Sequence, residues 1–162
     1  MSVGEAIRTK RAVRAFTEQP VPDATMREIL HAGRRSQSSK NSQPWQFIVI
    51  TNRETLQALA QCGTYAGHLA GAAFAVALIA ERGHEFDLGQ AAAAMQLAAW
   101  EQGVGSCIAA MWEPERARPI LGVPDQLAFD IAISFGYSAE VARTPRMDGR
   151  KTLEAIVRWE RW

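Results

Sequence analysis

The apolar positions of the first 35 residues recur at helical spacing. Val3 to Thr9 predicts a short helix that feeds an extended basic segment, Lys10 to Thr17, with Val13 and Phe16 as its anchors. A second helix is predicted over Asp23 to Arg35, because Met26, Ile29, Leu30 and Gly33 share one face at 3,4 spacing. Asp23, or the Thr25 to Glu28 pair, is placed to cap it. Ser36 to Gln43 is uniformly polar and reads as a loop.

From Trp45 the pattern changes to β-branched and aromatic residues. Trp45 to Thr51 (WQFIVIT) predicts a buried strand, and Thr51 with Glu54 forms a capping box for a helix through Leu56, Leu59 and Ala60. The same logic gives a strand over Leu69 to Ala80, a helix over Asp87 to Gln102, a strand over Gly105 to Met111, a helix opened by Pro114 and ended by Gly122 and Pro124, and a strand over Leu127 to Phe135. The expectation is an α/β sandwich of about four strands in one continuous domain, residues 1–162. The long helix is apolar nearly all round, since AAAAMQLAAW offers Gln96 as its one polar side chain. Such a helix needs cover on several sides, which favours a dimer.

Composition narrows the class. Hydrophobic residues are 48% and charged residues 22% of the 162, which excludes disorder and allows roughly 70% of the unfolded surface to be buried. A formal net charge of +1 gives a weak overall field, so an anion must be attracted by a local cluster, and nucleic acid is not an expected partner. Cys62 and Cys107 lie in apolar surroundings without C-x-x-C spacing, reading as buried thiols of a reducing compartment. The start lacks the apolar core of a secretory signal, and the longest apolar run, Leu69 to Ala80, is too short for a membrane span. A soluble cytoplasmic protein with no membrane association is expected.

Polar residues cluster at Lys10, Arg11 and Arg14, at Ser38, Ser39, Lys40, Asn41 and Gln43, and at Arg150 and Lys151. Each cluster alone also fits a solvated surface. Their order is more specific: KRAVRAF, then SQSSKNSQPWQF, then FDLGQAAAAMQLAAWEQGVGSCI, then GRKTLEAIVRWERW. These stretches resemble the nitroreductase superfamily, whose members show R-R-S-x-R-x-F, P-S-x-x-N-x-Q-P-W, D-x-G with an alanine-rich helix, G-x-G-S-C, and basic residues before a last short helix. The resemblance spans about residue 4 to residue 162, with Asn41 to Trp45 (NSQPW) its most specific piece.

The resemblance implies an α/β (α+β) nitroreductase-like sandwich, a central mixed sheet of about four strands flanked by helices. It implies a homodimer with FMN at the interface and NAD(P)H as co-substrate. Lys10 and Arg11 with Arg150 and Lys151 would hold the FMN phosphate, where charge-assisted hydrogen bonds contribute roughly 1.5–3 kcal/mol each. Ala12 stands in the same shell, and Arg14 would reach the pyrimidine edge. Ser38, Ser39 and Asn41 would come from the partner subunit, and the backbone of Ile108 and Ala109 would line one flavin face, unless these two are ordinary core strand. Lys40 either orients an anionic group of NAD(P)H or of the acceptor, or is an exposed loop lysine. His68 either approaches the pyrimidine edge or is a surface or half-buried structural histidine, the reading that the residues favour.

No Ser/His/Asp set, metal spacing or carboxylate pair emerges, and flavin chemistry requires none. Hydride transfer from NAD(P)H through FMN to an electron-poor acceptor such as a nitroaromatic or quinone, with ping-pong kinetics, is the expected activity. The alternative is a flavin- or ligand-binding module with little turnover. Three departures leave it open: Ala12 replaces the usual Ser, Gln37 the usual Pro, and Ala94 a common Asn. The segment from Glu81 to Phe86 is also short where relatives carry a capping excursion. Trp159 and Trp162, three apart on a predicted terminal helix, are expected to pack on the partner.

Overall fold

A computed structural model of the chain describes residues 1–139 and 150–162. Six α-helices and four strands are found among them: α1 Val3–Thr9, α2 Asp23–Arg34, β1 Gln46–Ile50, α3 Arg53–Leu59, β2 Phe74–Glu81, α4 Glu85–Glu101, β3 Gly105–Ala110, α5 Pro114–Leu121, β4 Leu127–Gly136 and α6 Leu153–Ile156. The strands lie in the order β1-β2-β4-β3. Every pair of neighbours is antiparallel. The parallel component of the expected mixed sheet shrinks to one bridge, Ala12 to Ser106. It follows from the order: β4 enters between β2 and β3, so no strand lies beside one running its own way.

The two faces of the sheet bury different residues because side chains alternate along a strand. Phe74, Val76 and Leu78 of β2 pack with Ile29 of α2 and with Leu88, Ala91, Ala92, Met95 and Ala99 of α4. Ala75, Ala77 and Ile79 face the other way, onto Leu56 and Leu59 of α3, Leu69 and Ala117 of α5. Phe74 and Phe135, cross-strand partners, stack at 4.8 Å on the α4 side. This two-sided burial is why β2 reads as a continuous apolar run. α4 contacts α2, α1, β2 and β3, so most of its apolar surface is covered within the chain. Phe86, Gly89 and Ala93 remain exposed, with Leu97 and Trp100 half-buried.

Four local expectations need correction. Leu69 to Gly71 is not strand but part of a 3-10 turn over Gly67–Gly71, since the flanking glycines favour a turn and Leu69 still buries fully there. α3 is capped by Asn52, whose Oδ1 accepts from the Thr55 N–H at 2.9 Å, in place of the Thr51–Glu54 box. α2 has no side-chain cap; Pro22 precedes it and Asp23 lies in its first turn. Beyond α6 the backbone turns extended at Val157, so Trp159 and Trp162 are not on a helix, and both are exposed.

Candidate functional site

The basic segment is fixed to the sheet at two places, and both depend on the absence of a side chain. Val13 donates its N–H to the Ser106 carbonyl at 3.0 Å. A Cβ at Gly105 would lie 2.7 Å from the Val13 Cβ, so glycine there makes room for the anchor. Further along, Phe16 packs over Gly136, where a Cβ would meet its ring at 2.9 Å, and Thr17 donates to the Tyr137 carbonyl at 2.8 Å. The segment therefore runs beside β3 with Lys10 at its start and Arg14 between the two anchors.

Lys10 and Arg14 both reach the electrostatic neighbourhood of Cys107. Burial holds the Lys10 ammonium below its ordinary pKa, opposed by Cys107. Burial pushes the Cys107 thiol up, and Arg14 and Lys10 pull it back. None of the ion pairs among the described residues involves Lys10, Arg11 or Arg14; Arg11 instead donates to the Arg8 and Lys10 carbonyls. Cations without carboxylates, one of them partly desolvated, form an anion-accepting surface. Beside them Ile108 points outward from β3 at 43% exposure, whereas Ala109 is buried. Of the two, Ile108 can offer a side chain to a ligand and Ala109 only backbone.

Beneath this surface lies a buried polar group. His68 is 9% exposed, and its Nδ1 is 2.8 Å from the Ser134 Oγ. The Ser134 hydroxyl donates to the Cys107 carbonyl at 3.2 Å. Burial lowers the His68 pKa most, the Arg14 guanidinium lowers it further, and the Ile108 carbonyl opposes both. The ring is thus neutral near pH 7, and it is buried, not the surface or half-buried histidine expected. Its Nε2 is buried with no hydrogen-bond partner.

The serine loop is built differently. Lys40, Asn41 and Gln43 all adopt positive φ, at 53°, 55° and 51°, a conformation that costs roughly 1–2 kcal/mol per non-glycine residue. The loop is held by hydrogen bonds from Gln43 N–H to Ser38 Oγ at 2.9 Å, from Asn41 N–H to the Ser38 carbonyl at 3.0 Å and from Ser39 N–H to Asp87 Oδ1 at 3.4 Å. Asp87 is buried in the first turn of α4 beside His84. Ser38 is half-buried to exposed, and Ser39, Lys40 and Asn41 are exposed. Strain concentrated in an exposed polar loop is a mark of a binding segment.

Within one chain the two sets are anchored at different points along α4, and no hydrogen bond or ion pair among the described residues joins them. The loop is tied to Asp87, whereas the basic segment is tied to Ser106, which Gln96 of α4 holds by Nε2 to Oγ at 3.3 Å. Nine residues of helix separate Asp87 from Gln96, about 13 Å along the axis. Arg150 and Lys151 are exposed, and the hydrogen bonds of the tail among the described residues are internal to it. Asp87, Ser134 and Gln96 received no role from sequence. Each carries a legible signal, a polar side chain at a position whose neighbours are all apolar.

The family model described as the Nitroreductase family matches residues 7–63 and 64–137. A protein named NADH dehydrogenase from Thermus thermophilus is 26% identical over 93% of this chain and 92% of its own. Among solved structures, an FMN-dependent nitroreductase from Clostridium difficile is 27% identical with a TM-score of 0.88, covering 99% of this chain and 100% of that one. A Desulfovibrio desulfuricans protein solved in complex with FMN is 26% identical with a TM-score of 0.87, covering 100% and 98%.

Proposed function

Because the chain belongs to the Nitroreductase family, we propose that this oxidoreductase is FMN-dependent, passing hydride from NAD(P)H to an electron-poor acceptor such as a nitroaromatic or quinone. The observation that carries the reading is the surface beside β3: Lys10 and Arg14 without carboxylate partners among the described residues, next to an outward-facing Ile108. An anion with a flat apolar body fits such a surface, since the cations take its charge and the exposed branched side chain its face. The FMN named for two similar solved proteins supports that choice of ligand.

Bound FMN would supply the hydride-accepting and hydride-donating chemistry. The protein supplies position and charge. Lys10 and Arg11, joined by Arg150 and Lys151, hold the phosphate, and Ala12 adds backbone to that shell without the usual hydroxyl. Arg14 stabilises negative charge at the pyrimidine edge. Ile108 by its side chain and Ala109 by its backbone would line the flavin, and NAD(P)H and the acceptor would use the same exposed site in turn, the basis of the proposed ping-pong kinetics. Lys40 steers an anionic group of either.

Ser38, Ser39 and Asn41 act from the partner subunit of a homodimer. Support comes from their anchoring apart from the basic segment within one chain, and from apolar side chains at Val3, Ile7, Leu153, Ile156 and Trp159, each at least 60% exposed. Residues 1–162 then work as a single flavin-binding domain in the cytoplasm. No helix among the described residues is long and apolar enough to cross a membrane, and no cluster there could hold a metal.

The test is optical. The purified protein should carry a flavin spectrum that bleaches anaerobically on adding NADH or NADPH and returns on adding a quinone, with parallel reciprocal plots in the steady state. A colour that persists after NAD(P)H would identify a flavin-binding module; a colourless protein that takes up no added FMN would overturn the reading altogether.

A further inference from the structure

Resting on the FMN reading above, we propose that Trp100 is a positioning residue for the flavin phosphate, its indole N–H fixing the end of α1 and with it the two cations that follow, Lys10 and Arg11. The indole nitrogen can only donate, and it lies 3.0 Å from the Thr9 Oγ1, across 91 positions of chain. The Thr9 hydroxyl is in turn 2.7 Å from the Glu5 carbonyl, which can only accept, so its proton goes there and its lone pairs remain for the indole. The groups themselves set the direction of the bond. Thr9 ends α1, and at Lys10 the chain leaves the helix, with the Lys10 N–H held by the Ala6 carbonyl at 2.9 Å.

Among the described residues little else holds that end. Ala6 is the one buried residue of α1, while Val3 and Ile7 are 75% and 65% exposed. At the start of the helix the terminal ammonium meets Glu101 at 3.8 Å, a surface pair that contributes little. Arg11 belongs to the same unit, because its guanidinium donates to the Arg8 and Lys10 carbonyls; both cations follow wherever the end of α1 goes. Trp100 is itself firmly seated, half-buried in the last turn of α4 and one turn beyond Gln96 on the same helix face. The Gln96 amide meets the Ser106 Oγ at 3.3 Å, and the Ser106 carbonyl accepts the Val13 N–H at 3.0 Å. One face of α4 therefore grips the chain on both sides of Lys10 and Arg11, through Thr9 before them and through Ser106 and Val13 after.

The test separates the phosphate from the ring. Dissociation constants for FMN and for riboflavin are measured for the wild type, Trp100→Phe, Thr9→Val and the double variant. Trp100→Phe keeps an aromatic ring and removes the donor; it should weaken FMN roughly three- to tenfold and leave riboflavin within a factor of about two. Thr9→Val, which keeps the shape and removes the acceptor, should do the same, and the double variant should lose no more than either change alone. Equal losses for FMN and riboflavin would mean a general packing role, additive losses would mean that the two side chains act separately, and an unchanged FMN constant would mean that other contacts hold α1. Each of these overturns the proposal. If Trp100→Phe does not fold, Thr9→Val decides alone by the same comparison of the two ligands. Wild-type protein that binds FMN no more tightly than riboflavin, or binds neither, defeats the phosphate reading of Lys10 and Arg11 and this proposal with it, a result visible before any variant is made.

Discussion

Gly105→Ala tests how the basic segment is held. The new Cβ would stand 2.7 Å from the Val13 Cβ, 2.7 Å from Cγ2 and 2.9 Å from Cγ1. Rotation about χ1 cannot relieve this, because Cβ itself is among the clashing atoms and valine is stiff at χ1. Ordinary contact begins near 3.5 Å, so the backbone of Val13 must retreat by about 0.8 Å, stretching its 3.0 Å hydrogen bond to Ser106. Overpacking of this kind costs roughly 1–3 kcal/mol. Lys10 and Arg14 flank Val13 and move with it, and misplacement on the order of 1 Å at a functional group can cost about 10²-fold.

The expected result is a midpoint in urea lowered by an amount equivalent to 1–3 kcal/mol, together with an FMN dissociation constant raised by roughly 10- to 100-fold in fluorescence titration. Gly4→Ala is the control, as nothing lies within 4 Å of its Cβ and the change should stabilise α1 by about 0.5–1 kcal/mol. If Gly105→Ala leaves both stability and FMN affinity at wild-type values, the segment is not held by this contact.

Removing the Lys10 ammonium by Lys10→Met should weaken FMN by about 10- to 100-fold but riboflavin, which lacks the phosphate, hardly at all; equal losses would remove Lys10 from the phosphate shell. Gln43→Gly relieves a φ of 51° and should raise stability by about 1 kcal/mol while weakening FMN, because the loop loses its preset shape; calorimetry with titration checks both. Since burial and Arg14 depress the His68 pKa, the unfolded chain binds its proton first. Stability is then complete above about pH 6.5 and falls as pH drops through that value, with a slope of at most about 1.4 kcal/mol per unit; His68→Gln should flatten that part of the profile. Finally, a Lys10→Met/Arg14→Met chain mixed with a Ser39→Ala/Asn41→Ala chain should regain FMN binding at one site per dimer, and failure of mixed dimers to bind would count against a shared site.

Much of this was legible in the chain. Helix and strand boundaries fell within a few residues of expectation except at Leu69 and in the tail, where the helix stops at Ile156 before the two tryptophans, because burial on a sheet or helix imposes a period that hydrophobicity records directly. Val13 and Phe16 stood out as anchors for the same reason. Family membership was readable from KRAVRAF, NSQPW and GVGSCI, where the spacing of charge and glycine is local.

What sequence left open depended on distances between residues far apart in the chain. Antiparallel pairing throughout the sheet follows from β4 entering between β2 and β3, and no local period encodes strand order. His68 read as a surface or half-buried histidine because its polar partner, Ser134, is 66 positions away and is itself bonded to the Cys107 carbonyl of the neighbouring strand. Gly105 read as an ordinary strand residue and Gly136 had no reading, whereas Val13 and Phe16 lie over them. The sequence by itself determined which elements form and which family the chain joins, since periodicity and motifs are properties of neighbours. Only the tertiary structure decided which cations stand unpaired among the described residues, which histidine nitrogen lacks a hydrogen-bond partner and which loop carries strain, since each depends on what the fold brings, or fails to bring, within reach.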